Sequence, residues 1–111
     1  MKAFRLFLVV AFVTELVYTI IAGINHGWNL FPIIIDSIGS LTWLGQFNLD
    51  FAFFLALTGL WVAWRNKFSL SGIALGLLAF VGGILFLSVY LLLLSFNSKT
   101  SVKELLIGEN K

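Results

Sequence analysis

The chain has no cysteine, one histidine and one proline, and only twelve of its 111 side chains are charged, seven Lys or Arg and five Asp or Glu. Without cysteine there is no disulfide, no thiolate nucleophile and no thiolate metal site. A single histidine, His26, gives no histidine cluster, and a bound metal needs several convergent ligands. Neither a metal nor another cofactor is expected. The scarcity of charge excludes most soluble folds, because an ordinary domain is about one quarter charged in order to clothe its outside. The net charge of +2 is no nucleic-acid signature. Lys2, Arg5, Arg65, Lys67, Lys99, Lys103 and Lys111 are scattered beside apolar segments rather than clustered on one face. No Ser-His-Asp arrangement, HExxH, phosphate loop or dinucleotide fingerprint is present, so soluble-type enzymology has no support. What the chain has in abundance is apolar surface, 60% of all residues. The reading is a small integral membrane protein, all-α, with one transmembrane domain over residues 1–111 and the lipid bilayer as its first partner.

A hydrocarbon core about 30 Å thick takes roughly 20 apolar residues to cross. Three stretches meet that test, at about 4–22, 47–64 and 70–96. The first follows Lys2 and Arg5 as a signal peptide would, but Glu15 interrupts it and no small-x-small cleavage site follows, so it is expected to be retained. The segment Trp28 to Gln46 is apolar enough to suggest a fourth span. It carries Pro32, Asp36, two serines and two glycines, and Gly45 reads as a helix stop with Asn48 as the next N-cap. That leaves a short amphipathic helix over about 32–44, expected at the membrane interface. Charge counting leans the other way. Three spans with the N-terminus inside leave Lys99, Lys103 and Lys111 outside, whereas four spans put five basic residues inside and two outside. Pro32, Asp36 and the short length favour three spans, with four as the alternative.

The string His26-Gly27-Trp28-Asn29-Leu30-Phe31-Pro32, followed by Gln46-Phe47-Asn48-Leu49-Asp50-Phe51 at the opening of a span, resembles a group of small bacterial three-span membrane proteins catalogued only as a domain of unknown function. Members carry an HGxN-type stretch after the first helix, an aspartate one turn into the second and a tyrosine near the end of the third. Asp50 and Tyr90 match those positions, and the resemblance covers roughly Leu6 to Leu94. It implies a fold and a bacterial membrane, and no activity. Glu15 is not part of that pattern.

Ionisable groups inside a bilayer cost about 2.5 to 3.5 kcal/mol each on insertion scales, and they usually face a bundle interior or a cavity. Glu15, about 15 Å up the first helix from Arg5, shares its face with Ala11, Thr19 and Ala22. Asp50 lies one turn into the second span, on the face of Phe54, Leu57 and Trp61, and with three straight spans Tyr90 reaches the same outer half. The expected site is therefore an outward-facing pocket of Glu15, Asp50, Tyr90, Asn48 and Gln46, with His26 and Asp36 at its rim. It would take a proton, a cation or a lipid-like ligand, being charged when open to water and neutral when sealed. The plainer alternative makes Asp50 a helix-start carboxylate and Glu15 a neutral acid hydrogen-bonded to Thr19 or Tyr90.

Gly72, Gly76, Ala79 and Gly83 form a small-xxx-small stripe on the third helix, on a line that also includes Tyr90, and such a stripe admits another helix at close range. It serves packing within the chain, a homo-oligomer or a membrane protein partner. Three functions follow: a proton, cation or ligand site at the two acids, an accessory subunit packing through the glycine face, and a membrane-embedded enzyme on a lipid or isoprenoid substrate with a cavity beside Asp50. A lone glutamate midway along the first helix is similar to small multidrug transporters, but those have four spans and their other motifs are absent. The expected location is a bacterial inner membrane, multi-pass, with the N-terminus cytoplasmic.

Overall fold

The computed structural model describes residues 2–96 and 101–110. Among them there are five helices and no strand: α1 (Lys2–His26), α2 (Phe31–Gly39), α3 (Trp43–Arg65), α4 (Leu70–Ser95) and α5 (Val102–Ile107). Three of these, α1, α3 and α4, are long and apolar enough to cross a membrane. The short helix expected between the first and second is α2. Lys99 and Lys111 lie outside the described residues.

The break between α2 and α3 differs from the one expected. Pro32, which has no N–H to leave unpaired, opens α2 in its first turn. The helix ends at Gly39, the Ser40 hydroxyl donates to the Ser37 carbonyl at 2.6 Å, and Leu41 turns the chain at φ +56°. The N-cap of α3 is Thr42, whose hydroxyl accepts from the Gly45 amide at 3.3 Å. Gly45 is therefore not a helix stop, and Asn48 is not a cap. Gly45 is a contact point, because a Cβ there would come within 2.1 Å of the Ser37 carbonyl oxygen. The Asn48 amide crosses the same contact to donate to the Ser37 hydroxyl at 2.7 Å.

Beyond that contact, the same side of α3 packs against α4. Gly59 and Gly76 meet backbone to backbone. A Cβ on Gly76 would lie 2.6 Å from the Gly59 carbonyl oxygen, and one on Gly59 would lie 2.8 Å from that of Gly76. Gly72, Gly76 and Ala79 are buried there together with Val62 and Ala63. The glycine stripe is thus used within the chain, as close van der Waals packing between apolar helices requires where burial from water gives no driving force.

The third long helix is not straight. Gly83 has φ +57° and ψ −138°, a non-helical conformation inside an otherwise helical run. A straight helix would carry Tyr90 about 30 Å from Leu70 at 1.5 Å per residue. Instead the Tyr90 hydroxyl accepts from Arg65 Nη1 at 2.6 Å and from Asn66 Nδ2 at 3.0 Å, beside the very turn from which α4 starts. Farther along, Arg5 near the start of α1 donates through Nε to the Ser95 hydroxyl at 3.1 Å and through Nη2 to the Ser95 carbonyl. The arm 84–95 therefore runs back toward the end from which the arm 70–82 starts. This brings the start of α1, the α3–α4 turn and the end of α4 to one end of the molecule.

Helix α5 docks at that same end. Leu105 is 4% exposed, and Trp61 Nε1 donates to the Leu106 carbonyl at 2.9 Å. The Glu109 amide donates to the Arg65 carbonyl at 2.8 Å. Gly108, at φ +57°, turns where a Cβ would meet the Arg65 carbonyl oxygen at 2.2 Å. Most large apolar side chains outside these contacts are exposed, as they are on helices whose surroundings are lipid.

Candidate functional site

Glu15 lies on the stripe of α1 that faces the rest of the bundle. Arg5, Leu8, Ala11, Phe12, Thr19 and Ala22 recur on that stripe at helical spacing and are buried or half-buried. Leu8 is 2% exposed against α4. Four residues beyond Ala11 and three beyond Phe12, Glu15 is exposed. Its one described hydrogen bond is a long one, 3.5 Å, from the Thr19 hydroxyl to Oε1. The folded-back arm of α4 ends at Ser95, at the level of Arg5. Its apex at Gly83 is about 18 Å up from there, and Glu15 about 15 Å. The acid thus stands near the top of the hairpin, at a point where the inward stripe is left exposed.

Asp50 is elsewhere. It is two residues from both Asn48 and Ala52, which face the neighbouring helices, and so leaves α3 on about the opposite side. It is exposed there, as are Gln46, Phe53, Phe54 and Leu57. Asn48 is half-buried and committed to Ser37. His26 ends α1, where a histidine suits the negative end of the helix dipole, and both His26 and Asp36 are exposed.

Tyr90 is not in the outer half with Asp50 but at the opposite end of α3, because α4 folds back. It belongs to a cluster that sequence reasoning missed. Arg65 is 7% exposed. Its guanidinium donates to the Tyr90 hydroxyl, through Nε to the Leu105 carbonyl at 2.9 Å, and through Nη2 to the Glu104 carbonyl at 3.3 Å. The Tyr90 ring lies 5.5 Å from the guanidinium carbon and stacks on Phe86 at 5.7 Å. No carboxylate is among these partners. The cluster joins α3, the returning arm of α4 and α5, and it answers one buried cation with neutral oxygens and an aromatic ring. In the sequence Arg65 and Tyr90 stand 25 positions apart, and only the adjacent pair Gly82-Gly83 hints at the bend that unites them.

An open apolar groove of about 450 Å³ runs between α3 and α4, lined by Gly59, Leu60, Ala63, Phe68, Gly76 and Phe80 among others. No titratable side chain lines it, and Asp50 is not beside it. Among the described residues, no three His, Cys, Asp or Glu side chains converge as a metal site would require.

The expected site residues therefore separate: Glu15 lies with Thr19, Asp50 with Gln46 on an outer face of α3, Asn48 with Ser37, and Tyr90 with Arg65 and Asn66. No protein family, curated protein or solved structure matches this chain.

Proposed function

We propose that this is a multi-pass protein of a bacterial inner membrane, and that its function is to bind a proton or a small cation at Glu15. The observation that carries the reading is the exposure of Glu15 on the inward stripe of α1, with Thr19 as its neighbour. An acid at that depth is tolerated where it faces a cavity or a partner group. Access is from the side opposite the α3–α4 turn, because the α4 hairpin fills the near half. The basic residues Lys2, Arg5, Arg65, Lys67 and Lys103 belong to the near end, so the positive-inside rule puts that end, and the start of α1, in the cytoplasm. Asp50 is not part of this site.

The test is a proton- or cation-dependent signal from the purified protein in vesicles. Glu15→Gln abolishes it, while Asp50→Asn leaves it within about twofold. A signal unchanged in Glu15→Gln sinks the reading.

A second reading is favoured by one observation. Asp50 and Gln46 are exposed on an otherwise aromatic and aliphatic outer face of α3. An accessory subunit would use that face against a membrane helix offering a cation or hydrogen-bond donor, since the glycine stripe is taken up inside the chain. Under this reading Asp50→Leu, and not Glu15→Gln, releases a co-purifying membrane protein or dissociates a homo-oligomer.

A further inference from the structure

Helix α4 combines two properties that pull apart. It is long and apolar enough to cross a membrane, yet Arg65 and Asn66 hold Tyr90, and Arg5 holds Ser95, so both its ends are tied to one end of the molecule. We infer that α4 lies in the membrane as a re-entrant hairpin, and that Gly83 at its apex is the hinge deciding on which side of the membrane α5 emerges.

The backbone carries the first part of the argument. At Gly83 φ is +57° and ψ is −138°, a pairing that a residue with a Cβ adopts only under strain. Every neighbour from Ile84 to Tyr90 accepts a helix, and no proline enforces the bend. With an ordinary L-residue at 83, continuing the helix is the favoured course. Irregular backbone at membrane depth is tolerated only where protein or a water-filled cavity surrounds it. Here the hydrogen side of Gly83 faces α3, with Leu55 Cδ2 3.5 Å from where a Cβ would sit.

Charge carries the second part. With α4 folded back, Lys103 on α5 stays at the end that holds Lys2, Arg5, Arg65 and Lys67. A straight α4 would send it across, against the positive-inside preference. The folded form is thus held by the polar contacts at its base and by charge, and the straight form by helix continuity. Gly83 sits where the two compete. This inference does not depend on what binds at Glu15.

The absence of native cysteine makes the test direct. Single-cysteine variants Lys2→Cys, Asn29→Cys and Lys103→Cys are labelled with a membrane-impermeant maleimide from each side of oriented vesicles. The expected result is that Lys103→Cys reacts from the same side as Lys2→Cys, and at least tenfold less from the side where Asn29→Cys reacts. Reaction of Lys103→Cys from the Asn29→Cys side overturns the hairpin. Spin labels at Phe68 and Leu93 give an independent reading: a straight α4 would hold them roughly 37 Å apart, and the hairpin brings them to about half that or less.

Adding Gly83→Ala moves Lys103→Cys labelling toward the Asn29→Cys side and lengthens the label distance. A chain assembled with D-alanine at position 83, whose mirror-image preference suits a positive φ, keeps both as in the native protein. If L-alanine and D-alanine behave alike, whether both fold back, both straighten or both fail to insert, Gly83 is not the hinge.

Discussion

Arg65 bears a charge that is 7% exposed and surrounded by the Tyr90 hydroxyl and the Leu105 and Glu104 carbonyls. Hydrogen bonds to a charged group contribute about 1.5 to 3 kcal/mol each, and their loss together is not additive. Arg65→Ala removes the guanidinium donors and leaves the Leu105 and Glu104 carbonyls without their partner, so a loss of about 2 to 4 kcal/mol is expected in unfolding of the detergent-solubilised protein. Arg65→Lys recovers only part of it, because an ammonium lacks the planar fork that reaches separate acceptors. Release of α5 is the more specific sign. Lys103 then becomes a fast site for trypsin, measured as a rate against the native chain. Gly108→Ala accelerates the same cleavage by another route, since its Cβ would strike the Arg65 carbonyl oxygen while leaving the guanidinium untouched. At this scale the sequence was least informative. Arg65 at the end of an apolar run reads as an interfacial anchor, and Glu15 and Asp50 read as partners because straight helices put them at related depths. Which side of α3 holds Asp50 is settled by the Ser37, Gly45 and Asn48 contact with α2, and no local pattern announces that contact.

Among the elements, α3 and α4 share the most extensive contact, and their close approach rests on Gly59 and Gly76. Gly76→Ala forces its Cβ to 2.6 Å from a backbone oxygen, which no side-chain rotation relieves. Separating the helices is expected to cost about 1 to 3 kcal/mol, the usual range for overpacking. Gly39→Ala is the matched control, with nothing within 4 Å of its added methyl and a change within about 0.5 kcal/mol. Chemical unfolding of both variants in the same detergent measures the difference, and equal stabilities would count against the backbone contact. The spacing of Gly72, Gly76 and Ala79 made this stripe legible in the sequence. Its partner on α3, Gly59 with Ala63 four residues on, follows the same small-xxx-small rule and was open to the same reading. The start of α3 was not legible, because Gly45 reads as punctuation unless the close Ser37 backbone is known. Nor was the bend in α4. Glycine in an apolar run marks close packing as often as a turn, and Gly83 follows three small residues that do pack.

For the molecule as a whole, charge is divided between the two ends of the long helices, and that division sets a prediction. The described basic residues Lys2, Arg5, Arg65, Lys67 and Lys103 all lie at one end, together with Glu104 and Glu109, while Asp36 and Asp50 lie toward the other. The sequence alone makes three spans and the positive-inside rule disagree, since a straight third helix strands Lys103 on the far side. Folding α4 back removes the disagreement without adding a fourth span. Orientation should then depend on how many basic residues the near end keeps, and Arg65 counts little because its charge is engaged. Lys2→Gln with Lys67→Gln, combined with Asn25→Lys in the last turn of α1 and Asn29→Lys in the α1–α2 connection, transfers two charges across the membrane without disturbing a described hydrogen bond. A substantial inverted fraction is expected, read as Lys103→Cys labelling from both sides of the vesicles, with the Phe68 to Leu93 distance still short. Inversion with a short distance means the hairpin turns over as a unit. A lengthened distance would mean that α4 had straightened instead, and that charge rather than Gly83 holds it folded.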